Sequence, residues 1–185
     1  MAKQKYSQEE IVGGLFEVFR QYGYDGASME ILAESTGLRK SSLYHRFPGG
    51  KEEMAEAVLQ SAAKWARDHI VAVVNSEIPR EVKLEKIMNN IFELYDGGTK
   101  TCILRSMLMG TGLTRFEKAI ASIFHDLQYG FRELAKAYGK SETEAEMIAV
   151  DGIIKVQGSL ILGKAFGDPN LFKQQLAQYE TVIKH

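Results

Sequence analysis

The chain has 185 residues, with 23 Lys or Arg against 24 Asp or Glu, a formal net charge of −1, 45% apolar residues and 10% aromatics. That apolar content is ample for a buried core in one or two domains, and the charge balance excludes a global attraction to nucleic acid or anionic membrane, so a polyanion must be held by a local patch. A lone cysteine, Cys102, excludes an internal disulfide framework; with no apolar leader in MAKQKYSQEE and no uncharged apolar run near the roughly 18 residues of a membrane helix, the expectation is a cytoplasmic protein with no membrane partner.

Residues 1–6 read as a loose, weakly basic tail. Ser7 and Glu10 then form an S-x-x-E capping box, and Ile11, Leu15, Val18, Phe19 and Tyr22 make the apolar stripe of a first helix that ends at Gly23. Ser28 is a good N-cap for a second helix through Ile31, Leu32 and Ser35, which Gly37 stops by supplying a left-handed residue. A third helix, about Arg39 to His45, turns Leu43 and Phe47 toward a core and leaves Arg39, Lys40, Ser41, Ser42, Tyr44 and His45 on other faces. Two short helices joined by a Gly-containing turn describe a helix-turn-helix, whose second helix lies in a major groove about 12 Å wide.

The residue types suit that task. Ser41 and Ser42 let the helix backbone approach base edges, and Lys40 reaches a guanine O6 or N7. Arg39, Tyr44, His45 and Lys51 suit phosphates, and the helix N-terminus at Ser28 offers N–H groups to another. Arg39 to Lys51 holds four Lys or Arg and no acid, whereas the first 55 residues hold seven basic and eight acidic residues, so the positive charge is local. A solvated charge run is the bland alternative; its coincidence with the second helix of the pattern favours nucleic acid.

These residues resemble the tetracycline-repressor (TetR) family of bacterial transcription regulators. The resemblance runs through the helix opening at Ser7, Tyr22-Gly23-Tyr24, Ala27-Ser28, Ile31, Ala33, Gly37-Leu38, Ser42-Leu43-Tyr44, Phe47 and Lys51, over roughly residues 5–55. It implies a homodimeric, all-α repressor released from a palindromic operator when a small molecule binds the C-terminal domain. Two features depart from the family pattern: Arg39 stands where a small hydroxyl residue is usual, and three residues, Pro48-Gly49-Gly50, separate Phe47 from Lys51 where two are more usual. The longer spacing resembles the LmrA/YxaF-like branch.

The rest reads as helix throughout, giving an all-α chain with a helix-turn-helix head at 1–50 and a ligand-binding and dimerisation domain at 51–185. A long helix from Lys51 to about Asn75 carries Met54, Val58, Ala62, Trp65, Ala66, Ile70 and Val74 inward and forms a natural lever from the head. Helices follow at about Arg80–Asp96, Cys102–Leu108 and Leu113–Tyr138, broken by Asp96-Gly97-Gly98-Thr99, Gly110-Thr111-Gly112 and Gly139. The three prolines, at 48, 79 and 169, fall between helices.

The helix from Glu142 to about Phe166 is apolar nearly all round, so it needs a second buried face. Gly152, Ser159 and Gly163 lie on one side where two backbones can approach. Together with Leu160 and with Phe172 and Leu176 of the last helix, they are the expected seam of a four-helix dimer; the alternative is that this chain's own helices cover them.

No C-x-x-C, H-x-x-x-H, G-x-S-x-G or P-loop spacing appears, so no metal ligands, no cofactor and no catalytic residues are expected, and Cys102 reads as a small core residue. Trp65, Phe92, Tyr95, Met107, Phe124 and Phe131, with Gln128 as a polar handle, are candidates to line a mostly apolar pocket for a small apolar or aromatic effector. Residues of these types at helical spacing are more often core. The expected partners are therefore double-stranded operator DNA, a second copy of the chain and that effector. The alternative keeps the DNA head and makes the C-terminal domain a protein-interaction platform without a small-molecule ligand.

Overall fold

The computed structural model describes residues 6–185, which are helical with no strand among them. The tail expected at the N-terminus lies, as far as residue 5, outside the described residues.

Helix α1 (Gln8–Gly26) opens on the reciprocal box anticipated from the sequence: Ser7 Oγ accepts from the Glu10 N–H at 3.1 Å, and the Ser7 N–H donates to the Glu10 carboxylate at 2.7 Å. Ile11, Leu15, Val18 and Phe19 are buried along one face. Gly23, with φ 66°, kinks the helix where the sequence places its end. Ser28 caps α2 (Met29–Thr36) by accepting from the Ile31 N–H at 3.3 Å, and Gly37 ends it at φ 64°. Helices α1 and α2 meet at Gly14, where a Cβ would lie 2.8 Å from the Ser35 carbonyl oxygen. Helix α3 (Lys40–Arg46) is held by Leu43 and by Phe47 just beyond it, both buried.

The remaining helices are α4 (Gly50–Ala66), continued by a π-helical turn (Arg67–Val71) into α5 (Ala72–Val74); α6 (Arg80–Leu94), closed by a 3-10 turn at Asp96–Gly98; α7 (Ile103–Met107); α8 (Gly112–Ala137); α9 (Glu142–Phe166); and α10 (Asn170–Lys184). They form two compact units, one of residues up to Ala62 with Ile103–Ala121, the other of Ala63–Cys102 with Ser122–His185. The first unit thus takes in α7 and the start of α8 beside the expected head at 1–50. Helix α7, too short to bury its own apolar face, packs on α1: Ser106 Oγ donates to the Arg20 carbonyl at 2.7 Å. Asp25 accepts from the Thr111 N–H at 2.8 Å and from its hydroxyl, and Arg115 pairs with Glu52 at 2.9 Å.

In the second unit α9 pairs with α10, on the side where the seam was expected. Gly152 lies under the Tyr179 ring, which a Cβ would overlap, and a Cβ at Gly163 would lie 2.9 Å from the Asp168 carbonyl oxygen. Phe172 presses on Gly98 and meets Tyr95 edge-on at 5.7 Å. Ser159, Leu160 and Leu176 are buried as well. All six residues expected between subunits lie buried inside one chain, because the small-residue side of α9 is the side on which α10 folds back. Helix α9 is apolar all round for a different reason: its other face carries Met147 (69% exposed), Ile154 (62%), Ile161, Leu162 and Phe166 (73%).

Candidate nucleic-acid interface

The head presents α3 outward. Arg39, Lys40, Ser41, Tyr44 and His45 are exposed, Tyr44 by 49%, while Ser42 is half-buried and Leu43 lies beneath. Burial of two apolar anchors, Leu43 and Phe47, fixes which way a seven-residue helix faces, and the polar side chains take the other directions. Ser28 is occupied as the α2 cap, with its hydroxyl oxygen accepting from Ile31. Lys40 forms an ion pair with Glu30 of α2. The ammonium of Lys51, expected at a phosphate, donates here to the Tyr24 carbonyl at 2.9 Å and lies 4.5 Å from the centre of the Tyr24 ring. It is first of all a strut from α4 to the end of α1, an assignment sequence spacing alone could not make because Tyr24 lies 27 residues away.

The residues expected around an effector are not all gathered in one place. Met107 is fully buried in the first unit, whereas Trp65, Phe92, Tyr95, Phe124, Gln128 and Phe131 belong to the second. Trp65 stacks on His69 at 5.2 Å, Phe92 lies 6.4 Å from Phe172, and Phe131 lies 5.4 Å from Tyr179. Phe124 is half-buried, as is Gln128, whose amide donates to Glu146. A cleft of about 310 Å³ in the second unit is lined instead by Glu81, Leu84, Glu85, Asn89, Tyr138, Glu180 and Lys184, none of them foreseen. Its signal was invisible in the sequence because it joins α6, the end of α8 and α10. Burial pushes the Tyr138 hydroxyl up from the ordinary phenol range, and Arg80 lies 4.8 Å over its ring. Cys102 is buried, in keeping with a core role. Among the described residues no group of three or more His, Cys, Asp or Glu is placed to hold a metal ion, and no helix is long and apolar enough to cross a membrane.

Residues 11–58, the stretch that builds this outward-facing α3, match the family described as bacterial regulatory proteins, tetR family. The chain has a TetR-family N-terminal domain. It is similar to the HTH-type transcriptional regulator LmrA of Bacillus subtilis (strain 168), with 33% identity over 64 residues, 35% of this chain and 34% of that protein. That match thus spans about a third of the relative's length. In fold the chain resembles a TetR transcriptional regulator from Legionella pneumophila, with TM-score 0.84 and 18% identity over 100% of both chains. It also resembles the TetR family regulator CifR in complex with 26 bp double-strand operator DNA, with TM-score 0.73 and 18% identity over 100% of this chain and 98% of that one.

Both departures of this TetR head now have a structural form. Arg39 is the N-cap of α3 and makes no side-chain cap bond; the Ser42 N–H donates instead to the Arg39 carbonyl at 2.9 Å. The Pro48-Gly49-Gly50 spacing folds as a turn closed by the Gly50 N–H donating to the Phe47 carbonyl at 2.8 Å. Gly50 takes φ 67°, and the Glu53 carboxylate accepts from the Gly49 N–H at 2.7 Å.

Proposed function

We propose that this chain is a sequence-specific DNA-binding transcription regulator, a homodimeric repressor released from a palindromic operator by a small, mostly apolar effector. The observation that carries the reading is the outward face of α3, where Arg39, Lys40, Ser41, Tyr44 and His45 stand clear of a helix anchored by Leu43. Short hydroxyls at the centre and cations at the edge are what a helix needs to lie in a major groove and to hold the phosphates on either side.

Two copies of α3 entering successive major grooves must be presented about 34 to 36 Å apart by a two-chain scaffold. The support for a seam is the outer face of α9, with Met147, Ile154, Ile161 and Leu162 exposed at helical spacing on the side opposite α10. Gly158 lies among them with open space at its Cβ position, which lets a second helix come close. Helix α4 begins in the head and carries Trp65 near its far end, so an effector held by the aromatic residues of the second unit would act on the head through it. The division of the expected lining residues between the two units favours a second reading, in which the C-terminal part is a protein-interaction platform with no small-molecule ligand.

One experiment separates them. Selection of bound sequences from a random DNA pool should return a pseudo-palindrome, and repeating it with hydrophobic aromatic compounds present should abolish recovery for at least one of them. Recovery of no common sequence overturns the operator reading, and recovery unaffected by every compound favours the interaction platform.

A further inference from the structure

Glu30 lies in the first turn of α2, and its carboxylate reaches across ten residues of sequence to the ammonium of Lys40 on α3. Both side chains are open to solvent, 68% and 48% exposed. We propose that Glu30 is a specificity-determining residue of the head: it occupies Lys40 as an internal substitute for a DNA phosphate, so that only a duplex offering Lys40 the right base displaces it. This rests on the DNA-binding reading above.

The N-terminus of α2 and the cations of α3 are two features of the head that attract an anion. The carboxylate of Glu30 already sits between them. Lys40 first, then the residue's own backbone N–H and the Ser28 hydroxyl, hold it below the ordinary carboxylate range. Arg39 to Lys51 contains no acid, so Glu30 brings a negative charge against a stretch whose own charges are all positive.

Binding to random duplex draws its free energy from phosphates and the counterions they release. Each time Lys40 turns to a phosphate, the Glu30 carboxylate is left unpaired beside a polyanion, and the two repel. At a guanine edge Lys40 gains O6 and N7 as acceptors, and Glu30 itself is able to accept from a neighbouring cytosine amine. The acid therefore weakens non-specific binding more than specific binding. A surface ion pair is weak enough for such an exchange.

The test is a set of anisotropy titrations of the full-length protein with a random-sequence duplex and with the duplex recovered from the pool selection, across a salt series. The proteins are wild type, Glu30→Gln, Lys40→Gln and the double variant. Glu30→Gln is expected to bind random duplex several-fold tighter at low salt, with a salt slope steeper by about one per head. The gain on the selected duplex should be smaller, and both gains should vanish in the Lys40→Gln background. An unchanged slope, a gain of equal size on both duplexes, or a gain that survives without Lys40 overturns the inference and leaves the DNA-binding reading standing. Wild-type protein that binds neither duplex at low salt overturns both.

Discussion

Tyr44 and Lys51 looked alike in the sequence, as two residues suited to phosphates, and the structure separates them. Tyr44 is exposed, whereas the Lys51 ammonium is tied to the Tyr24 carbonyl and ring. Lys51→Ala should therefore lower the thermal midpoint, losing about 1 to 2 kcal/mol for a charged hydrogen bond and a cation–π contact. Tyr44→Ala should leave the midpoint nearly unchanged while weakening binding to all duplexes. Melting curves and salt-dependent titrations on the two variants check this, and equal losses of stability would return Lys51 to the phosphate role. A different residue, Tyr179, is buried with no hydrogen-bond partner for its hydroxyl, and desolvation pushes that group far above the ordinary phenol range. It stays protonated at every physiological pH, so the unmet donor is a standing cost, and Tyr179→Phe should raise stability by about 1 kcal/mol. A drop on denaturant titration would mean that the hydroxyl is satisfied by a group such as water.

At the level of elements the sequence spoke plainly wherever one residue decides the backbone. Ser7, Ser28 and Gly37 set the starts and stops of α1 and α2, and the prolines at 48, 79 and 169 fall between helices. It was silent on the π turn at Arg67–Val71, yet a trace is there in hindsight. The inward residues Val58, Ala62, Ala66, Ile70 and Val74 repeat strictly every four, and an α-helix of 3.6 residues per turn rotates such a stripe about 40° at each step. A wider turn near the end takes up the accumulated rotation and keeps Ile70 and Val74 pointing inward. Ile70 then meets α8 at Gly130, where an added Cβ would overlap its Cγ2. Gly130→Ala should cost about 1 to 3 kcal/mol by overpacking despite the better helix propensity of alanine. A more stable variant in thermal melts would show that α8 and the π turn give way easily. The small residues of α9 face inward for a related reason. Small residues mark where a backbone comes close, but the sequence does not say whose backbone it is, and here it belongs to α10 of the same chain.

For the whole molecule, the proposed function asks how a chain with net charge −1 would hold DNA, and a homodimer would do so by doubling the head. One α3 offers few phosphate contacts, and two offered by one rigid body turn the second binding event into an intramolecular one, worth about 10²- to 10⁴-fold in overall affinity when the spacing matches the operator. The outer face of α9 is the place to break that coupling without touching the head. Ile154 is 62% exposed, so Ile154→Glu leaves the core of a single chain intact, yet in a dimer it would place two unpaired carboxylates against an apolar seam. The variant should sediment as a monomer with unchanged helicity and lose about 10²-fold or more in affinity for the full palindrome. Its affinity for an isolated half-site should match that of wild type, since α3 and its anchors are the same. Sedimentation together with titration of full and half operators reads both quantities. A variant that stays dimeric and keeps full operator affinity would move the seam to another surface. One that stays monomeric with undiminished affinity would mean that a single head suffices.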